Sequence, residues 1–416
     1  MEQIRLTLFG LQCVGRRITR KMLQASSARR AMGGFFVSGI LLAFLGAILP
    51  AWQYHLKSEY LVVGSYFLSL NAGILVSVGF SFRLLPRRGI RFVLLLGSIL
   101  AFVAFLFLAL IPGVAHPVWR IAGVFCLGEA AGLLNTALFH LISGLYEHEP
   151  AATINMAGTS FGLGCLVAAV LVAGTYYVYT VPSILVLLSL IPGFFGGMCA
   201  RWKLEEPPAR LQPSMRQALE GFKSPAAVLL SLVLFLQFAN EWSIAGWLPL
   251  FLIQRLGISP ELSLKMLGLY WLSLLVGRVG MQWVLSRVSH WRLLVGSTLA
   301  AIAGCGMLVA TNNRFGAGTG LLLAGFGFAA IYPLVVEMIG DRFPYYHPGF
   351  FNGIFSFALT GGLPSPWTLG IYAHYLGIGV VMLLPLAGAC GVFVLLVSIR
   401  LYAKLTGVGE VSAGAR

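Results

Sequence analysis

Acidic residues are scarce. Asp and Glu number 13 in 416 residues against 28 Lys and Arg, and charged residues of all kinds make up 10% of the chain. Soluble domains carry roughly 25% charged residues, so a water-soluble globular class is excluded. Cysteine is scarce too, and Cys13, Cys126, Cys165, Cys199, Cys305 and Cys390 show no paired spacing. That speaks against a disulfide framework or a zinc ribbon; five of the six fall in or at the ends of apolar segments, as small buried hydrophobes do. His116, His140 and His374 are scattered, so no metal site is expected. A phosphate-binding loop and a nucleophile motif are also missing, which leaves an enzyme without support and no cofactor to expect.

What the chain has in abundance is apolar length, with 58% hydrophobic residues. Twelve stretches are each long enough to cross a hydrocarbon core of ~30 Å, near 32–53, 58–82, 90–112, 117–145, 151–176, 179–201, 225–254, 261–286, 291–311, 315–339, 347–373 and 377–403. Backbone groups have no water partner at that depth, and the alternating strands of a barrel are missing, so the spans are expected to be helices. The fold class is an all-α integral membrane protein.

The net charge of +15 follows topology. With twelve spans, 22 of the 28 Lys and Arg fall on the side of the amino terminus. The positive-inside rule then places both termini in the cytoplasm of a multi-pass inner-membrane protein. The basic excess reports contact with anionic lipids at that face, and nucleic acid is not an expected partner. Ahead of the first span, Arg16-Arg17 is not read as an export signal, because the apolar run that follows is too long for cleavage and eleven more succeed it. Ile4, Leu8, Leu11, Ile18 and Met22 form one helical stripe among basic residues. That stripe is either a basic amphipathic helix on the cytoplasmic leaflet or the product of a misassigned start.

Ala200–Pro225 is the longest polar, Pro-containing stretch, and the chain on either side of it is internally repeated. "GEAAGLLNT" from Gly128 matches "GFGFAAIYP" from Gly325, and "INMAGTSFGLG" around Asn155 matches "FNGIFSFALTGG" around Asn352, both at an offset of 197. "RFVLLLGS" from Arg91 echoes "RLLVGS" from Arg292. Such duplication marks secondary transporters that hold a solute between two bundles near the midplane. The expected division is a basic segment 1–31, a six-helix bundle 32–201, a cytoplasmic linker 202–224, a second six-helix bundle 225–403 and a tail 404–416.

The whole chain resembles the major facilitator superfamily, and within it the fucose:proton symporter-like group. The loop "RLLPRRGIRFVLLLG" is similar to the superfamily's Gly-x-Leu-x-Asp-Arg-x-Gly-Arg-Arg loop at Leu84, Arg87, Gly89 and Arg91, and "GRVGMQWVLSRVSHWR" resembles its second copy. "CLGEAAGLLN", "INMAGTSFGLG", "NEWSIAGWLPLFL" and "GGLPSPWTLGIYAHYLG" look like the narrower group. The resemblance implies twelve transmembrane helices in two pseudo-symmetric bundles, with gating at Arg87, Arg91, Arg278, Arg287 and Glu337. It also implies that Glu129, at the place of the group's helix-4 glutamate, binds substrate or proton. The sequence departs from the pattern where the loop acid belongs: Pro86 stands in the first copy, Ser286 in the second, and His374 near the end of the eleventh helix. The group's first-helix carboxylate is missing as well.

Apart from Glu59 and Glu261 at the very start of their spans, only Glu129, Glu241 and Glu337 lie inside apolar segments, and Arg278 is the strongly basic residue set back from the span ends. Carboxylates at that depth mark ion or substrate pathways. One arginine cannot neutralise three acids, so at least one is expected to carry a proton. Glu129 shares a helical stripe with Thr136 and His140, while Asn135 points elsewhere. Glu337 is expected to pair with Arg278 as a cytoplasmic gate or fold lock. Gln237, Asn240, Glu241 and Ile244 follow steps of three, one and three, giving one polar face on an apolar helix. Beside it, Trp242 offers a flat surface for a sugar ring or serves as an interfacial anchor, and Trp247 is read as an anchor. Asn71, Tyr270 and Trp271 complete the substrate candidates, Asn71 and Tyr270 lying 199 apart. Asn155 and Asn352 are read as interhelical contacts or caps.

The expected function is alternating-access transport of a small polar organic solute, a sugar or sugar derivative, driven by protons or another coupling ion through a monomer. An exporter of amphipathic compounds and a non-transporting sensor or assembly protein on the same fold are the rival readings.

Overall fold

The computed structural model describes residues 29–53, 59–142, 150–202, 224–285, 287–342, 362 and 364–406 of the 416. The segment before Arg29, most of the expected linker, Ser286, Asn352 and most of the eleventh expected span lie outside the described residues. Regular structure among the described residues is helical throughout.

In chain order the helices are α1 (Arg29–Ile48), α2 (Tyr60–Ser81), α3 (Arg83–Leu110), α4 (Pro117–Leu141), α5 (Pro150–Thr175), α6 (Val181–Arg201), α7 (Pro225–Leu256), α8 (Pro260–Leu285), α9 (His290–Ala310), α10 (Arg314–Arg342), α11 (Ser365–Leu376) and α12 (Leu383–Thr406). Eleven of the described helical stretches are long and apolar enough to cross a bilayer, the last of them taking in the 3-10 turn Ile378–Met382 ahead of α12.

Local chemistry sets the breaks. Helix geometry runs on from α2 into α3 except at Gly89, whose φ of 78° and ψ of 166° only glycine adopts readily. Pro117 opens α4 where its missing N–H costs nothing, and the His116 imidazole accepts from Val118 N as a cap. Gly257, left-handed at φ 62°, closes α7, and α8 restarts at Pro260.

The twelve helices form two six-helix bundles, α1–α6 and α7–α12. Burial sorts them by place. α1, α4, α7 and α10 bury 61–78% of their apolar windows, whereas α3, α6, α9 and α12 bury 33–44%. The first set therefore lines the centre of the molecule and the second faces lipid. We call the end where α1 begins and α12 finishes the terminal face, and the other the far face.

The internal repeat is visible in the packing. Gly128 of α4 lies on the Leu70 carbonyl of α2, and Gly325 of α10 lies on the Tyr270 carbonyl of α8. Gly132 meets Ser77, and Ala329 meets Gly277; Gly123 meets Leu108, and Gly320 meets Leu308. In each case the α10 residue follows its α4 counterpart by 197, and the α8 or α9 residue follows its counterpart by 200. Small residues at the same crossing let the backbones approach in both halves, which is how membrane helices associate without a hydrophobic drive between them.

Candidate functional site

α7 enters from the terminal face and carries Gln237 and Glu241 to mid-depth, one turn apart and on one side of the helix. Gln237 Nε2 donates to Glu241 Oε1 at 2.7 Å and to the Phe328 carbonyl of α10 at 3.2 Å. The second carboxylate oxygen, Oε2, faces Arg278 Nη2 of α8 at 3.5 Å, and both side chains are buried. Arg278 then reaches into the other bundle, where its Nη1 donates to the Gly158 carbonyl of α5 at 2.8 Å. Buried at mid-depth, this pair is screened far less than a surface ion pair.

Arg278 is therefore not the partner of Glu337, contrary to expectation. Glu337 lies near the end of α10, where its Oε1 is 3.2 Å from His290 Nε2 at the start of α9. Arg278 lies about two turns short of the end of α8, within reach of α7 and α5. The sequence placed these residues by depth alone, and depth does not give the rotation of a helix.

The polar face of α7 divides in two. Gln237 and Glu241 look to α8 and α10, whereas the Asn240 amide rests on Gly388 of α12. Asn240 Nδ2 and Gln237 Oε1 are buried without a hydrogen-bond partner among the described residues. Tyr270 and Trp271 of α8 are buried beside each other, ring centroids 5.4 Å apart, and the Tyr270 hydroxyl and Trp271 Nε1 likewise have no hydrogen-bond partner among the described residues. Trp242 is half-buried, edge-on to Trp271 at 6.3 Å and to Phe161 of α5 at 6.1 Å, so it stands between the bundles.

Glu129 is half-buried on α4, its backbone against Gly73 of α2, and its carboxylate makes no hydrogen bond or ion pair among the described residues. The structure does not bring it into contact with Glu241. Asn135, one face away, accepts from Ser38 of α1 at 2.8 Å, and Thr136 bonds its own helix at the Gly132 carbonyl. Asn71 and Asn155 are buried on α2 and α5, the Asn155 Oδ1 without a hydrogen-bond partner among the described residues. Of the expected gating arginines, Arg87 is exposed, Arg287 lies in the turn after α8, and Arg91 donates through Nη2 to the Ala200 carbonyl at the end of α6. None of these three has a carboxylate partner among the described residues.

Sequence reasoning missed the far-face closure. Trp247 is fully buried and is not an interfacial anchor. Its Nε1 donates to the Pro366 carbonyl at 2.8 Å, and its ring is 6.0 Å from both Tyr60 and Phe67 of α2. Nearby, Gly46 of α1 lies on the Ala245–Gly246 backbone of α7, and Gly64 of α2 lies against Gly370 of α11. Glycine at these crossings lets the bundles touch backbone to backbone. The signal in the sequence was the run Ala245-Gly246-Trp247, a close-packing pair beside a large ring.

Two pseudo-symmetric six-helix bundles thus meet around a buried polar centre. The family model of the major facilitator superfamily matches residues 32–366, and the chain belongs to that superfamily. An uncharacterised MFS-type transporter of Yersinia pestis is 20% identical over 318 residues, covering 74% of this chain and 79% of that one. A TsgA homologue of Buchnera aphidicola is 22% identical over 342 residues, covering 79% and 84%. Among solved structures, the Escherichia coli fucose:proton symporter FucP superposes with a TM-score of 0.62 at 15% identity, over 91% of this chain and 99% of that one. A D-xylose-proton symporter gives 0.71 at 14%, covering 88% and 96%, and the nucleoside transporter NupG gives 0.68 at 12%, covering 90% and 99%. These likenesses establish the fold.

Proposed function

We propose that this chain is a secondary active transporter that moves a small polar organic solute, a sugar or sugar derivative, across the inner membrane by alternating access coupled to protons. One observation carries the reading: a carboxylate and a guanidinium are buried at mid-depth where the two bundles meet. Ionisable residues in that position are costly to keep in hydrocarbon, and function is the usual reason they are there. Two of the structural neighbours are sugar:proton symporters, which agrees with the reading. Trp242 and Trp271 supply flat faces for a ring, and Gln237 and Asn240 supply hydrogen-bonding groups. Both termini are assigned to the cytoplasm from the basic residues crowding the terminal face, and residues 202–224 to a linker between the bundles.

The test is reconstitution into proteoliposomes with an imposed pH gradient and a panel of labelled solutes: L-fucose, D-xylose, other monosaccharides and nucleosides. Glu241→Gln and Glu129→Gln are each expected to abolish gradient-driven accumulation while sparing exchange. Undiminished accumulation in both variants would refute proton coupling through these residues.

Export of amphipathic compounds is favoured by one observation, the run of aromatic groups along this part of α7: Phe161 edge-on to Trp242, and Phe238, one turn before Trp242, against Tyr332. Thermal stabilisation by dyes and hydrophobic cations, with none by sugars, would select that reading.

A further inference from the structure

Arg278 is unusual in serving both bundles. Its guanidinium lies against Gly158 and beside Gly162 of α5, one turn apart on one face. A side chain at position 158 would begin 3.1 Å from Nη1, so the missing side chains make the slot that the guanidinium occupies. Nη1 is bound to the first bundle through the Gly158 carbonyl, and Nη2 faces the carboxylate of the second. Arg278 Nε has no hydrogen-bond partner among the described residues.

We propose that the Gly158–Gly162 slot is the place where the ionisation of Glu241 is read across the bundle interface, with Arg278 as the positioning residue that carries it. This rests on the proton-coupled reading of Glu241 given above. With Glu241 ionised, the guanidinium is neutralised from its own bundle while it holds α5, and α5 and α8 stay together. With Glu241 protonated, a buried guanidinium is left with one carbonyl, and an uncompensated buried charge strongly disfavours the closed arrangement. Water entering between α5 and α8 removes that cost, so protonation opens the terminal face while the Trp247 seam keeps the far face shut. Among the described residues, the other titratable groups near Glu241 are Tyr270 of α8 and Cys165 of α5, while α10 contributes the Phe328 carbonyl.

Protons are the only ligand the test needs. Spin labels at Arg201 of α6 and Leu405 of α12, both exposed on the terminal face, report the separation of the bundles in nanodiscs by pulsed dipolar spectroscopy. The full-length chain, with its native cysteines replaced, is expected to lengthen this distance along a single titration as pH falls. Gly158→Val fills the slot and Arg278→Gln removes its occupant, so both are expected to give the long distance at every pH. Gly158→Ala, the mildest filling, should move the titration midpoint and so keeps the test available if the valine variant does not fold. A normal titration in both Gly158→Val and Arg278→Gln, with Glu241→Gln abolishing it, would overturn this inference alone. A normal titration in Glu241→Gln would overturn the proton-coupled reading beneath it. A wild-type distance that ignores pH would overturn both.

Discussion

Replacing Trp247 with alanine should unseal the far face. The ring sits 6.0 Å from both Tyr60 and Phe67, across the bundle boundary, while its Nε1 bonds Pro366 within its own bundle. Opening the far face separates Trp247 from the α2 rings but leaves the Pro366 bond intact. The difference between the two states is thus the two aromatic pairs, each about 0.5–1.5 kcal/mol beyond area burial. Losing both removes about 1–3 kcal/mol from the closed state, a shift of roughly 5- to 150-fold in the conformational equilibrium. Spin labels at Val114, in the turn before α4, and Asn312, before α10, lie exposed on the far-face rims of the two bundles. Their distance distribution should gain a long component in Trp247→Ala. Trp247→Phe keeps a ring between Tyr60 and Phe67, and should shift the distribution little. Identical distributions in the wild type and Trp247→Ala, or an equal shift in the phenylalanine variant, would show that these rings do not hold the seam.

Three further outcomes are expected. Arg278→Gln or Glu241→Gln alone should lower the thermal midpoint, since breaking a buried pair costs about 3–5 kcal/mol; the double variant should recover part of the loss, and additive losses in a thermal double-mutant cycle would show that the two do not interact. Glu129→Gln should leave the thermal midpoint near wild type, because its half-buried carboxylate has no partner among the described residues to lose, while abolishing gradient-driven uptake. Gly128→Val and Gly325→Val press a side chain against the Leu70 and Tyr270 carbonyls, and each should cost about 1–3 kcal/mol; a loss in one half only, read from melting curves, would contradict their equivalence.

The sequence made the spans legible because a bilayer core of ~30 Å demands about 20 apolar residues each time. It made the duplication legible because glycines at tight crossings leave the same spacing in both halves, as Gly128 and Gly325 do. Depth was legible too, and it singled out Glu241 and Arg278 as buried. Partnership was not. A residue's depth follows from counting along one helix, whereas its partner depends on how neighbouring helices are rotated. That is why the sequence pairs Arg278 with Glu337 while the structure sets it against Glu241, and why Asn240 shares a helical face with Gln237 yet rests on α12. Trp247 departs from expectation for a related reason: a tryptophan near a helix end suits the lipid interface and a seam between bundles equally well.

The repeat has an outcome for the chemistry of each half. Counting back 200 residues from Arg278 gives Val78, and counting forward 197 from Glu129 gives Phe326. Neither charged group has a charged twin, so the two halves of this duplicated molecule have parted company in their electrostatics while keeping one scaffold. A chimera built from two copies of the first half would keep the helix crossings and lack the guanidinium altogether. One built from two copies of the second would place two guanidinium–carboxylate pairs in the same interior. The halves therefore divide the chemistry between them: the first keeps an acid with no partner among the described residues, and the second keeps the charge pair whose guanidinium reaches across to the Gly158 carbonyl of the first.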